Sequence, residues 1–181
     1  IGTLATLSPM AVDIVTGDRD LFQLIDDDRD VRVIYTARGM SNLDVLTDAS
    51  VVGKYGILPS QYADFATMRG DASDGLPGVK GIGEKTAATL LQTHGDLDAI
   101  RAAAAAGDGM SASASARFAD ATDYLDVAPT VVRVATDLDI NVPTAPLLPL
   151  EPAQADTAHA LAETWNLGTS MDRAISAIDN R

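Results

Sequence analysis

The sequence predicts an α/β fold: the C-terminal part of a parallel-sheet core, followed by a mostly helical region. Three observations lead there. Residues 11–16 (AVDIVT) form an apolar run of strand length, the pattern of a buried parallel strand. Gly17-Asp18-Arg19-Asp20 follows at once, outside the carboxyl end of that strand, where open α/β sheets hold their ligands. From Thr47 onward the character turns helical, with Gly56, Gly70 and Gly95 as stop signals.

Taken in order, residues 1–7 read as the end of an apolar helix, stopped by Ser8-Pro9 because the residue before proline disfavours helix. Residues 21–25 begin a short helix, 26–30 a polar turn, 31–35 (VRVIY) a second strand, and 37–43 a hairpin or loop around Gly39 and Asn42. Thr47 caps a helix over 48–55 that Gly56 ends. Pro59-Ser60 opens the next helix, 61–69, ended by Gly70. Further helices are expected at 84–93 and 96–106. The Gly/Ala/Ser-rich residues 107–115 are expected as a mobile loop, and 118–127 as a helix stopped by Pro129. Residues 131–142 look extended, and 143–152, with four prolines, read as a linker. Residues 156–166 form an amphipathic helix with Leu161 and Trp165 on one face, Trp165 being read as core, and 171–178 form a last short helix. These elements divide the chain into 1–46, 47–130 and 131–181.

Composition narrows the function. Of 181 residues 46% are hydrophobic but only 4% aromatic, so the core must be mostly Ala, Leu, Val and Ile. The absence of cysteine excludes a disulfide scaffold and thiolate metal sites, and fits a reducing cytoplasm. No run of about eighteen apolar residues occurs, so no membrane partner is expected, and no signal-peptide pattern is visible. The net charge of −13 argues against tight, salt-resistant binding of nucleic acid by the surface as a whole. Local potential matters more than the total. Of the three lysines, Lys54, Lys80 and Lys85, two fall in one short stretch.

That stretch is residues 70–87, GDASDGLPGVKGIGEKTA. Gly78-Val79-Lys80-Gly81-Ile82-Gly83 reads as a tight turn opening a helix at Glu84-Lys85-Thr86. Gly81 and Gly83 let the backbone approach a ligand closely. The unpaired amides of the following helix start, with the dipole behind them, suit an anion, above all phosphate. Lys80 and Lys85 flank this cradle. Asp71 and Asp74 stand just upstream, as acceptor-only groups suited to a hard cation. They also fit the duller role of helix caps, as Asp18 and Asp20 fit that of turn residues. A phosphate cradle beside carboxylates suggests phosphodiester chemistry. His94 and His159 have no ligand-spaced partner and read as structural or exposed. Asp26, Asp27 and Asp28 lack the glycine and closing glutamate of a calcium loop.

The stretch 70–87 resembles the helix–three-turn–helix signature of the 5′–3′ exonuclease/flap endonuclease family, which includes the N-terminal nuclease domain of bacterial DNA polymerase I. A second block, residues 15–24 (VTGDRDLFQL), resembles the strand-end metal motif of the same family, in the same order and spacing. The resemblance implies metal-assisted hydrolysis of DNA at 5′ ends and 5′ flaps, in primer removal and repair, by a bacterial cytoplasmic, nucleoid-associated protein. Asp18, Asp20 and Asp74 would be catalytic ligands, with Asp71 assisting, for two or more Mg²⁺ or Mn²⁺ ions. Gly78, Val79, Lys80, Gly81, Ile82, Gly83, Lys85 and Thr86 would grip the duplex backbone. The Val79–Gly83 turn would offer carbonyls to a K⁺ ion. The family's N-terminal acidic cluster and helical arch are not in this sequence. The expectation is therefore the C-terminal part of a longer nuclease, inactive by itself and partnered by that N-terminal portion. A non-catalytic DNA-binding module is the alternative.

Overall fold

The computed structural model describes residues 1–142 and 148–179, in two compact units that part after Val142. The first unit opens with α1 (Gly2–Leu7) and a small sheet of β1 (Val12–Thr16), β2 (Val31–Tyr35) and β3 (Asp44–Leu46). The order is β1-β2-β3. β1 and β2 run parallel, from Val12 opposite Val31 to Thr16 opposite Tyr35, whereas β3 runs antiparallel, with Leu46 opposite Val33. The sheet is therefore mixed. β1 is not buried on both faces: Ile14 is buried, but Val15 is exposed and Asp13 pairs with Arg32 at 2.8 Å. An apolar run alone does not reveal that helices pack on one side only.

Six helices complete this unit: α2 (Asp48–Tyr55), α3 (Tyr62–Arg69), α4 (Glu84–His94), α5 (Leu97–Ala106), α6 (Ala112–Asp120) and α7 (Thr122–Val132). The caps are those the sequence advertises. Thr47 exchanges bonds with Ser50 at the start of α2, and Asp96 accepts from the Ala99 amide at 2.8 Å to start α5. α3 is the central element, buried from Tyr62 through Met68. Its one buried acid, Asp64, accepts from the Leu97 amide at 3.0 Å and from Arg133 at 2.9 Å. The Tyr124 hydroxyl donates to the Thr67 carbonyl at 2.8 Å. The start of α5 and the stretch around α7 are thereby fastened to α3. Phe22, Tyr62 and Phe65, all fully buried, join the sheet side to α3, with Phe22 edge-on to Tyr35 at 5.1 Å and to Tyr62 at 5.3 Å.

Two expectations fail here for identifiable reasons. The residues expected as a mobile loop at 107–115 already start α6 at Ala112, because Ser111 accepts from the Ala114 amide at 3.2 Å. Pro129 does not stop α7, which runs on to Val132. Burial of Leu125, Ala128 and Val132 on one face outweighs the missing amide. Residues 131–132 are accordingly helical rather than extended, and 134–142 form no regular element.

The second unit contains α8 (Pro152–Thr164) and α9 (Thr169–Asp179). α8 has no buried residue, and Trp165, read as core from the sequence, is 71% exposed. Four-residue spacing gave Leu161 and Trp165 a common face, but nothing described in this unit covers it. Part of the expected linker, residues 143–147, lies outside the described residues.

Candidate functional site

The loop after β1 is built by short local bonds. The Thr16 hydroxyl accepts from the Asp18 amide at 3.0 Å, and Asp18 accepts from the Asp20 amide at 2.9 Å. Asp20 then opens a 3₁₀ turn, Asp20–Leu24, pinned by buried Leu21 and Phe22. Gln23 ties this turn across the fold: its amide donates to the Val132 carbonyl at 3.0 Å and its carbonyl accepts from the Val134 amide at 3.1 Å. Asp18 stays exposed and Asp20 half-buried. Burial, then the carboxylates of Asp18, Asp74 and Asp71, push the Asp20 carboxyl up to about 6, with Arg69 opposing. Arg19 of this loop reaches Asp71 of the loop after α3 at 3.6 Å, so the two aspartate loops are neighbours.

The second loop leaves α3 at Gly70 and returns at Gly78. Asp71 and Leu76 exchange backbone bonds of 3.0 and 2.9 Å and close its neck. A Cβ on Gly78 would lie 2.6 Å from the Arg69 carbonyl group and the Gly70 amide, and one on Gly70 would lie 2.7 Å from the Gly78 amide. Both residues also have positive φ, so only glycine fits the neck. Inside the loop Asp71 caps the 3₁₀ turn Ala72–Asp74. It accepts from the Ser73 amide at 3.0 Å and from the Ser73 hydroxyl. Its other oxygen meets Arg69 at 3.4 Å and Arg19 at 3.6 Å. These partners, the Ser73 hydroxyl foremost, hold the Asp71 carboxyl below the usual range against the effect of burial. Asp74, at the end of the turn, is exposed.

The turn that follows is hung from two apolar pins. Val79 donates to the Met68 carbonyl at 2.9 Å and Ile82 to the Val79 carbonyl at 2.9 Å, with both side chains buried. Lys80 stands exposed between them. Gly83 caps α4 without a side-chain bond, and Lys85 and Thr86 are exposed in the first turn of the helix. The positive φ of Gly81 agrees with the sequence reading, whereas Gly83 is merely extended at φ −92°. Arg69 reaches Glu84 at 3.9 Å, linking the aspartate loop to the helix start.

The donor set suits a hard divalent cation in kind: oxygen ligands only, with Arg19 and Arg69 balancing part of their charge at Asp71. It falls short in number. Among the described residues no three His, Asp or Glu side chains converge closely enough to hold a metal ion. Arg69, Ser73 and Arg117 carry parts of the site that the sequence did not reveal. Arg117 donates from Nη1 to the Gly81 carbonyl at 3.1 Å. The Ser111 cap was the available signal that residue 117 lies on a helix.

A model of the family described as 5′-3′ exonuclease, C-terminal SAM fold, matches residues 57–156. The chain belongs to the 5′–3′ exonuclease family. It is 47% identical over 179 residues to a 5′-3′ exonuclease of Streptomyces coelicolor, covering 98% of this chain and 59% of that protein. It is 38% identical over 191 residues to DNA polymerase I of Mycobacterium bovis, covering 98% of this chain and 19% of the polymerase. The chain thus spans under two thirds of the length of these relatives. T5 5′-exonuclease, in a structure with bound zinc, superposes with a TM-score of 0.56 over 67% of this chain and 42% of that chain, at 16% identity. That likeness concerns the fold alone. Among the described residues no helix is long and apolar enough to cross a membrane.

Proposed function

We propose that the chain belongs to a structure-specific 5′ nuclease that hydrolyses DNA phosphodiesters at 5′ ends and 5′ flaps, in primer removal and repair. The observation that carries this reading is the ion pair at 3.6 Å that joins Arg19 of the first aspartate loop to Asp71 of the second, beside the glycine-rich turn at 78–83. Asp18, Asp20 and Asp74 would hold Mg²⁺ or Mn²⁺, with Asp71 assisting chiefly by holding its loop against Arg19 and Arg69. When bound, such ions supply an activated water and charge stabilisation at the leaving oxygen. Residues Gly78, Val79, Lys80, Gly81, Ile82, Gly83, Lys85 and Thr86 grip the duplex backbone and fix register rather than sequence. The remaining ligands would come from the part of the relatives' length that this chain does not span. A K⁺ ion at the Val79–Gly83 turn belongs to the same reading, and it must share the turn with the Arg117 guanidinium on the Gly81 carbonyl.

The second reading is a non-catalytic DNA-binding module. It is favoured by the absence of any three convergent ligands among the described residues. Mn²⁺-dependent cleavage of a 5′-flap DNA decides between them, measured on this chain and on one extended to the relatives' length, each with an Asp74→Ala control. Cleavage by the extended chain, lost with Asp74→Ala while DNA binding persists, is the expected result. Binding by the extended chain without cleavage under any divalent ion would establish the module instead.

A further inference from the structure

In the first unit the cations are unevenly engaged. The other arginines bond carboxylates or, for Arg29, backbone carbonyls, and Lys54 lies over the Tyr55 ring. Lys80, Lys85 and Arg117 alone remain, among the described residues of this unit, exposed and without a carboxylate or ring partner, Arg117 bonding only the Gly81 carbonyl. All three meet at one turn. In a chain of net charge −13 this is the place where positive charge is left available.

Arg117 is also fixed in orientation. A Cβ on Gly81 would lie 2.8 Å from its Nη1 and 3.0 Å from its Cζ, so the guanidinium rests against the bare face of that glycine. Nη1 donates to the Gly81 carbonyl, and the other N–H groups point to no protein acceptor among the described residues. A planar guanidinium with a free donor edge matches the oxygens of a phosphodiester. Anchoring before the ligand arrives reduces the ordering cost of contact.

We propose that Arg117 is a phosphate-contacting residue, the third cation of the turn's grip on duplex DNA, supplied by α6 rather than by the turn itself. This rests on reading the turn as a DNA-backbone site. The test is equilibrium binding of the full chain to a fluorescein-labelled duplex with a 5′ single-stranded overhang, from low to moderate KCl. The variants are Arg117→Ala, Arg117→Gln, Arg117→Lys and Lys80→Ala, each checked for folding by circular dichroism. Arg117→Gln removes the charge and shortens the side chain while keeping a polar amide, and Arg117→Lys keeps the charge without the planar fork. The expected result is affinity reduced about three- to tenfold in both Arg117→Ala and Arg117→Gln, with the log–log salt slope smaller by about 0.9. Arg117→Lys should retain the slope. Parental affinity and slope in Arg117→Gln, with Lys80→Ala still weakened, would overturn the proposal and leave Arg117 a brace for the turn. Parental binding in both Arg117→Gln and Lys80→Ala would remove the DNA-grip reading itself.

Discussion

The loop after β1 and the loop after α3 each carry two aspartates and touch through Arg19 and Asp71, and they differ in what stands around those aspartates. Asp71 has its hydrogen-bond donors and both arginines within reach, so its charge is matched by the fold. Asp20 has the charges of Asp18, Asp74 and Asp71 facing it and is partly withdrawn from water. One carboxylate is favoured in its ionised form, while the other is pushed toward its protonated form by burial first and by neighbouring like charge second. A carboxylate with its partners in place reads as scaffold, and one facing like charge without them is the better candidate for a ligand.

The comparison can be broken most severely at the neck of the second loop. Gly78→Ala forces a Cβ to 2.6 Å from backbone atoms at φ +68° and should lower stability by about 3 kcal/mol, read by denaturant unfolding. Gly75→Ala, at φ +71° with open space around it, should cost about 1 kcal/mol. Next in size, Asp74→Ala in a chain extended to the relatives' length should reduce Mn²⁺-dependent flap cleavage on the order of a hundredfold or more. It should leave thermal unfolding nearly unchanged.

The two carboxylates should answer pH in opposite directions. The folded value of Asp20, about 6, lies above its ordinary 3.8, so the folded state binds the extra proton and its ionisation costs stability as pH rises through that window. Asp20→Asn should therefore raise the unfolding midpoint at neutral pH and leave it unchanged in acid below that window. The folded value of Asp71 is lowered, so its contribution is present above the ordinary carboxylate value and is lost as pH falls through the lowered one. Asp71→Asn should cost about 1 kcal/mol at neutral pH and little in acid. The smallest effect belongs to Arg19→Gln, which removes a partly exposed pair at 3.6 Å while Arg69 and Ser73 stay in place, and should cost less than about 1 kcal/mol by thermal unfolding.

Legibility in the sequence followed the range of the interaction. Thr47, Gly56, Gly70, Asp96 and Gly95 announce helix ends because caps and positive-φ stops are local events, and the structure places ends at each of them. The two aspartate pairs stood out because each follows a recognisable strand or helix end. What the sequence hid is what requires the chain to fold back on itself. Arg69 serves Asp71 and Glu84 on either side of the loop, Gln23 reaches the end of α7 at Val132 and Val134 beyond it, and Arg117 rests on a turn thirty-six positions earlier. Pro129 misled for a related reason, since a helix breaker is read locally and overruled by the burial of Leu125 and Val132.

The pinched neck between Gly70 and Gly78 has an evolutionary side. Because Asp71 and Leu76 clasp each other, the path from α3 into the following turn is set before the tip residues are reached. The tip, residues 72–75, therefore hangs from the clasp rather than shaping it, with Ser73 bonded back to Asp71 and Gly75 held at positive φ. The clasp itself is closed to variation, since neither glycine leaves room for a side chain. The position of Asp74 is thereby set by backbone bonds and by glycine, and not by its own side chain.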